Sequence, residues 1–214
     1  MWLKDANLAA TSGYCLTPGN CLDSNGMMTW DQVNAWINSL NSSNYLGYND
    51  WRLPVTLPVD GSSYNWDWSY DGSTDRGWNI TSLNSEMSYL FYVELGNLGE
   101  YDTNGNPQPG YEIKNSGPFV NIVNINSPTL AYYDGWYWSG TEVGPPPYDA
   151  VGFNFGLGRQ YGGYYPGYGD HGWAVRDCES CTAVPEPSTF ILLASGIGTL
   201  LAGRKLFIGR INPR

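Results

Sequence analysis

The sequence predicts an α+β domain followed by a membrane-directed tail. Three observations carry this reading. Two segments with apolar residues at helical spacing come first, runs of alternating aromatic and aliphatic residues follow, and a short uncharged run lies near the C-terminus. Composition agrees: 14% charged residues, 27 Gly, 14 Pro, 17 Tyr and 10 Trp exclude a coiled coil, a helical bundle and a highly charged disordered chain. At 214 residues the chain has the size of one domain with an appendage.

Taken in order, Asn25-Gly26 marks a strand turn, both residues being expected at positive φ. Thr29 and Gln32 have capping-box spacing and open a helix to about residue 41, with Val33, Trp36, Ile37 and Leu40 on one face. Residues 50–54 read as a short strand ending at Pro54, and 59–79 as a loop with little periodicity. A second helix is expected over about 82–95, with the stripe Leu83, Met87, Leu90, Phe91 and Leu95, ended by Gly96. Residues 96–117 are irregular. Strands are expected at 119–125, 136–143, 150–155 and 173–178, and 161–170 has too much glycine for a regular element. Trp51, Leu53, Trp138 and Trp173 are core candidates. Arg52 and Arg176 need acidic partners, for which Glu142 and Asp50 are available.

The net charge is −10, which excludes nucleic acid as a partner. It is unevenly spread: residues 1–184 hold 6 basic and 19 acidic residues, a net of −13, whereas 185–214 hold 4 basic and 1 acidic, a net of +3. The tail begins with Pro185-Glu186-Pro187, runs uncharged from Phe190 to Gly203, and continues through Arg204-Lys205 to Ile208 and Arg210. Read with snorkelling Arg204 and Lys205, 190–208 approaches membrane-spanning length, and its basic end places the body outside. A buried core helix is the competing reading. The N-terminus has neither a basic region nor an apolar core of a signal peptide, so a secretion signal is expected upstream of Met1.

This order of proline-glutamate-proline, apolar run and basic cluster resembles the PEP-CTERM sorting signal. The resemblance implies an exported bacterial protein, anchored transiently in the inner membrane and processed by an exosortase. The destination would be the cell surface or extracellular matrix. The body resembles the Lcl C-terminal domain family through Trp2–Asn7, Met28–Trp36, Gly47–Pro54, Tyr137–Glu142, Phe153–Phe155 and Trp173–Arg176. That resemblance implies a C-type-lectin-like fold with two helices, a small twisted antiparallel sheet and long loops. It also implies surface or secreted proteins, some of them adhesins for sulfated or other polysaccharides. Trp2 falls where family members are already inside their first strands, so an N-terminal strand is expected further upstream. The resulting organisation is an extracytoplasmic domain at 1–181, a linker at 182–189, a transmembrane sorting helix at 190–208 and a basic cytoplasmic end at 209–214.

Cys15, Cys21, Cys178 and Cys181 are even in number, as in an oxidised exported protein. Proximity favours Cys15–Cys21 and Cys178–Cys181, with a four-thiolate zinc site as the rival. Asp102, Asn104 and Asn106 alternate in a loop with Glu112 beyond, a candidate calcium set that departs from an EF-hand at Pro107 and Ile113. An ion-free Asx turn competes with it. Asp67, Asp71 and Asp75 form a second acidic set. The single histidine, His171, follows Asp170 and is expected in a surface turn. No nucleophile elbow, phosphate loop or two-histidine metal motif accompanies it, so a non-enzymatic protein is expected.

The loops combine aromatic plates with Asn, Ser and Gly, a chemistry suited to sugar rings. Tyr161, Tyr164, Tyr165 and Tyr168, with Trp66 and Trp68, are the candidate ligand-binding residues. The acidic body favours neutral or cation-bridged glycans. The expected function is a carbohydrate-binding or adhesion module. The alternative is a self-associating structural protein of the matrix.

Overall fold

A computed structural model describes residues 1–124, 135–143, 149–164 and 169–177, with the backbone alone at 149, 163 and 164. Residues 178–214 lie outside the described residues, and with them the sorting motif, the apolar run, Cys178 and Cys181. Among the described residues no helix is long and apolar enough to cross a membrane.

The body is mixed α and β, with few helices and one five-stranded sheet. Helix α1 is a single turn at Leu8–Thr11, and α2 spans Trp30–Ser42. The capping box at α2 forms as its spacing predicts: Thr29 Oγ1 accepts from Gln32 N at 3.2 Å, and Gln32 Oε1 accepts from Thr29 N at 2.9 Å. Val33, Trp36, Ile37 and Leu40 are all buried. Before it, Leu22 N donates to the Met27 carbonyl at 2.8 Å, so the expected turn exists. Gly26 alone takes a positive φ there, at 98°, because Asp23 Oδ1 accepts from the Asn25 and Met27 N–H groups and settles the rest.

The second helix is shorter than its stripe suggests. Helix α3 covers Glu86–Tyr89 and widens into a π turn at Leu90–Glu94. Residues 82–85 are drawn into pairing instead: Thr56 bridges Ser85, and Leu57 N donates to the Asn84 carbonyl at 2.6 Å. Leu83 is therefore 74% exposed, while Met87, Leu90, Phe91 and Leu95 are buried as expected.

Strands β1 (Trp68–Ser69), β2 (Arg76–Gly77), β3 (Trp136–Val143), β4 (Asp149–Asn154) and β5 (Arg159–Tyr164) lie in the order β1-β2-β5-β4-β3. Neighbours are antiparallel except β1 on β2, which is parallel, so the sheet is not wholly antiparallel. Five expectations need correction. The 59–79 loop contributes β1 and β2. Residues 161–164 belong to β5 despite their glycines. The segments at 50–54 and 173–177 are extended but joined by single bridges, Arg52 and Trp2 both to Val175, and Val120 likewise bridges Asp5 instead of starting a strand.

The core lies between α2, α3 and the centre of the sheet. Trp36, Trp138, Trp173, Tyr137, Phe91, Phe153 and Phe155 are fully buried. Buried indoles need an acceptor, and three find one in a carbonyl: Trp138 Nε1 at Met28 (2.8 Å), Trp173 Nε1 at Leu3 (2.8 Å) and Trp51 Nε1 at Tyr45 (3.1 Å). Two arginine forks tie the extended segments together. Arg52 reaches both Glu86 oxygens at 2.7 and 2.8 Å and also Asp177, while Arg176 clasps Asp50 at 2.7 and 2.9 Å and stacks 3.8 Å from the Tyr48 ring. Asp50 is thus the partner anticipated for one of them, and Glu86 takes the role assigned to Glu142. Cys15 and Cys21 form a disulfide.

Candidate functional site

The β1–β2–β5 side of the sheet gathers the aromatic residues of the 59–79 loop. A buried acidic side chain organises that loop. Asp75, 2% exposed, accepts from Val59 N and Asn65 N at 2.7 Å each, and its backbone carbonyl accepts from Gln160 Nε2 at 2.9 Å. Gln160 is itself hydrogen-bonded to Ser85, so the loop is fastened to both β5 and the start of α3. The Thr74 hydroxyl donates to the Asp67 carbonyl at 2.7 Å and closes the β1–β2 connection.

Upon this frame Trp66 stacks on Tyr64, with ring centres 5.1 Å apart and planes at 14°. It lies flat across β5, since a Cβ at Gly162 would come 2.4 Å from its ring. Trp68 is 40% exposed and meets buried Trp78 edge-on at 4.9 Å. Tyr70 stacks on Trp78 at 5.2 Å, and Tyr101 closes on the same indole at 4.7 Å.

Two arginines are threaded into this aromatic surface. The Arg76 guanidinium sits 4.3 Å from the Tyr161 ring centre and 4.9 Å from that of Trp68. Arg159 lies 5.0 Å from Trp136 and 5.8 Å from both Trp68 and Trp78. Arginine stacked on aromatic faces is held by the ring quadrupole. Neither makes a salt bridge among the described residues, in contrast to Arg52 and Arg176. Their Nε atoms, with Nε1 of Trp78, are enclosed without an acceptor. Half-buried Glu100 feels the positive charge of Arg159, but desolvation outweighs it and raises the carboxyl above its ordinary value.

Of the residues anticipated from sequence, Trp68 and Tyr161 meet across Arg76, whereas Trp66 lies over Gly162, on the other face of β5 from Tyr161. Tyr164 ends β5, opposite Ala150, and Tyr165 and Tyr168 lie outside the described residues. Arg76, Arg159, Tyr70, Trp78 and Tyr101 were not anticipated. A signal was present: Trp66, Trp68 and Tyr70 fall at every second residue, and so do Arg159 and Tyr161, the period of a strand.

The acidic sets are otherwise engaged. Asp102 Oδ1 accepts from Asn104 N at 2.9 Å and Asn106 N at 2.8 Å, an Asx turn, and the Asn106 side-chain amide, then these backbone groups, hold its carboxyl below the ordinary value. Asn106 Nδ2 donates to Asp102 Oδ2 at 3.0 Å, and Glu112 pairs with Lys114 at 3.2 Å. Asp71 caps Ser73 and Asp75 is committed to the loop, so Asp67, Asp71 and Asp75 do not share a site. Among the described residues no group of three His, Cys, Asp or Glu side chains is placed to hold a metal ion.

His171 is no surface residue. It is 2% exposed, its ring lies 5.6 Å from that of Tyr137, and neither ring nitrogen has a hydrogen-bond partner. Burial pushes its proton affinity down to about 4, against the pull of the Asp23 charge and the Gly26 backbone. Neighbouring Asp170 is equally buried, with Oδ2 unpartnered, and desolvation raises it well above the carboxylate range. The Asp170 side chain lies toward Gly152 and Trp136. With both ring nitrogens unpartnered, no hydrogen bond joins the two.

Comparison with protein-family models, with curated proteins and with solved structures finds no match to this chain.

Proposed function

We propose that this chain is an exported bacterial surface or matrix protein whose body is a non-enzymatic carbohydrate-binding module. In this reading the body has a C-type-lectin-like α+β frame of the Lcl C-terminal kind. The tail from Pro185 is a PEP-CTERM signal with a transmembrane helix, recognised by an exosortase and removed on the way to the surface. The observation that carries the binding role is the aromatic surface of Trp68, Tyr70, Trp78 and Tyr161 on the β1–β2–β5 side of the sheet. Sugar rings present apolar C–H faces to such plates, and Trp68 is the plate most open to solvent, at 40%.

The test is a glycan array probed with the full chain in mild detergent, first with calcium and then with chelator. Saccharide binding that falls at least tenfold in Trp68→Ala supports the module. A calcium requirement would direct mutation to Asp102 and Asn104. A folded chain that binds no saccharide and forms persistent polymers would replace this reading with the self-associating matrix protein.

A further inference from the structure

Resting on the carbohydrate-binding reading, we propose that the Arg76–Arg159 surface selects a sugar bearing a carboxylate, a uronic acid, over neutral rings. The overall charge of −10 argues for neutral glycans, but charge is read locally at a binding site. Residues 1–177 contain four arginines. Among the described residues Arg52 and Arg176 are forked onto carboxylates, whereas Arg76 and Arg159 are not, and both of the latter stand in the aromatic surface. Two such cations share the Trp68 ring in an acidic protein and are the groups an incoming anion would neutralise.

The stacking constrains what that anion can be. Trp68 and Tyr161 pack against the Arg76 guanidinium, and Trp136, Trp68 and Trp78 surround that of Arg159. The Nε atom of each is enclosed, and the terminal nitrogens of these half-buried guanidinium groups are what is left for hydrogen bonding. A flat two-oxygen carboxylate meets two such nitrogens with both oxygens in plane. A tetrahedral sulfate directs further oxygens toward the aromatic faces. Trp68 then takes the sugar ring that carries the carboxylate. Glu100, which stands near enough to Arg159 to feel its charge, is the acid that competes with such a ligand.

The test uses the full chain in mild detergent and three oligosaccharides of one length: a galacturonic acid oligomer, the galactose oligomer of the same linkage, and a sulfated galactose oligomer. Expected is at least tenfold weaker binding of the neutral oligomer, loss of the preference in Arg76→Gln and Arg159→Gln, and weakening with salt. Glu100→Gln is expected to tighten binding of the uronic oligomer severalfold, a gain that misfolding cannot produce. Equal binding of neutral and uronic oligomers would overturn the inference and leave the carbohydrate reading standing. Tighter binding of the sulfated oligomer would also overturn it. Absence of binding to all three, by a chain with native near-ultraviolet dichroism, would sink both. A self-association abolished by Arg76→Gln and indifferent to saccharide would assign the site to a second copy instead.

Discussion

Replacing His171 by leucine should remove an acid-dependent loss of stability that the natural chain carries. The imidazole is buried against Tyr137 with neither nitrogen hydrogen-bonded, and its proton affinity drops from 6.5 to about 4 on folding. The unfolded chain therefore binds the proton first as pH falls. The contribution of the neutral ring is complete above about 6.5, declines below it, and is gone under about 4. The gap amounts to about 3 kcal/mol, at about 1.4 kcal/mol for each tenfold change in proton affinity. Asp170 acts in the opposite sense: its raised carboxyl favours the fold at low pH and opposes it once pH climbs through the folded value. Urea denaturation of wild type and His171→Leu between pH 7.5 and 4 isolates the imidazole, because every other group is common to both. The stability difference should change by about 3 kcal/mol across that range, in the direction that penalises wild type in acid. Parallel pH curves would refute the reasoning and mean that the Gly26 backbone, which already pulls the ring's proton affinity up, holds the proton in the folded chain.

Thr29→Ala removes one arm of the α2 capping box and should cost about 1 kcal/mol in urea denaturation. Glu86→Gln deprives the Arg52 fork and the Val55 N–H of a charged acceptor, and should lower stability by about 2 kcal/mol. Gly77→Ala places a Cβ 1.8 Å from the Ser69 carbonyl oxygen at a φ of 125° and must part β1 from β2. Saccharide affinity should then fall together with the near-ultraviolet signal of the Trp68–Trp78 pair, and the urea midpoint should fall as well.

Where local chemistry decides structure, the sequence was legible. Helix α2 announces itself through Thr29, Gln32 and a four-residue apolar stripe, and β3 and β4 through alternation around Trp138 and Phe153. Legibility failed where a distant partner decides. Strand β5 is hidden by Gly162, whose lack of a side chain is what lets Trp66 cross it, so a residue that weakens the local strand signal is required by the site. Leu83 fits the helical period, yet Thr56 claims the adjacent Ser85. The candidate site was half visible for the same reason: Trp66, Trp68 and Tyr161 stand out by type, but the role of Arg76 and Arg159 depends on which carboxylates they fail to reach. His171 resembles a turn residue because Gly169 and Gly172 flank Asp170-His171, and only its backbone pairing with Trp136 and Trp138 on β3 places it inside.

The alternation of ring and guanidinium along Tyr161, Arg76, Trp68 and Arg159 has a thermodynamic consequence for association. A free arginine side chain surrenders about 2 kcal/mol of rotamer entropy when a ligand immobilises it. Here the rings have already fixed two such chains before any ligand arrives, and Asp75 and Gln160 hold the strands that carry those rings. An anionic sugar would meet a rigid comb of charge and not a pair of flexible arms. Its capture should show in calorimetry as a small entropic penalty, with weak temperature dependence of the side-chain contribution.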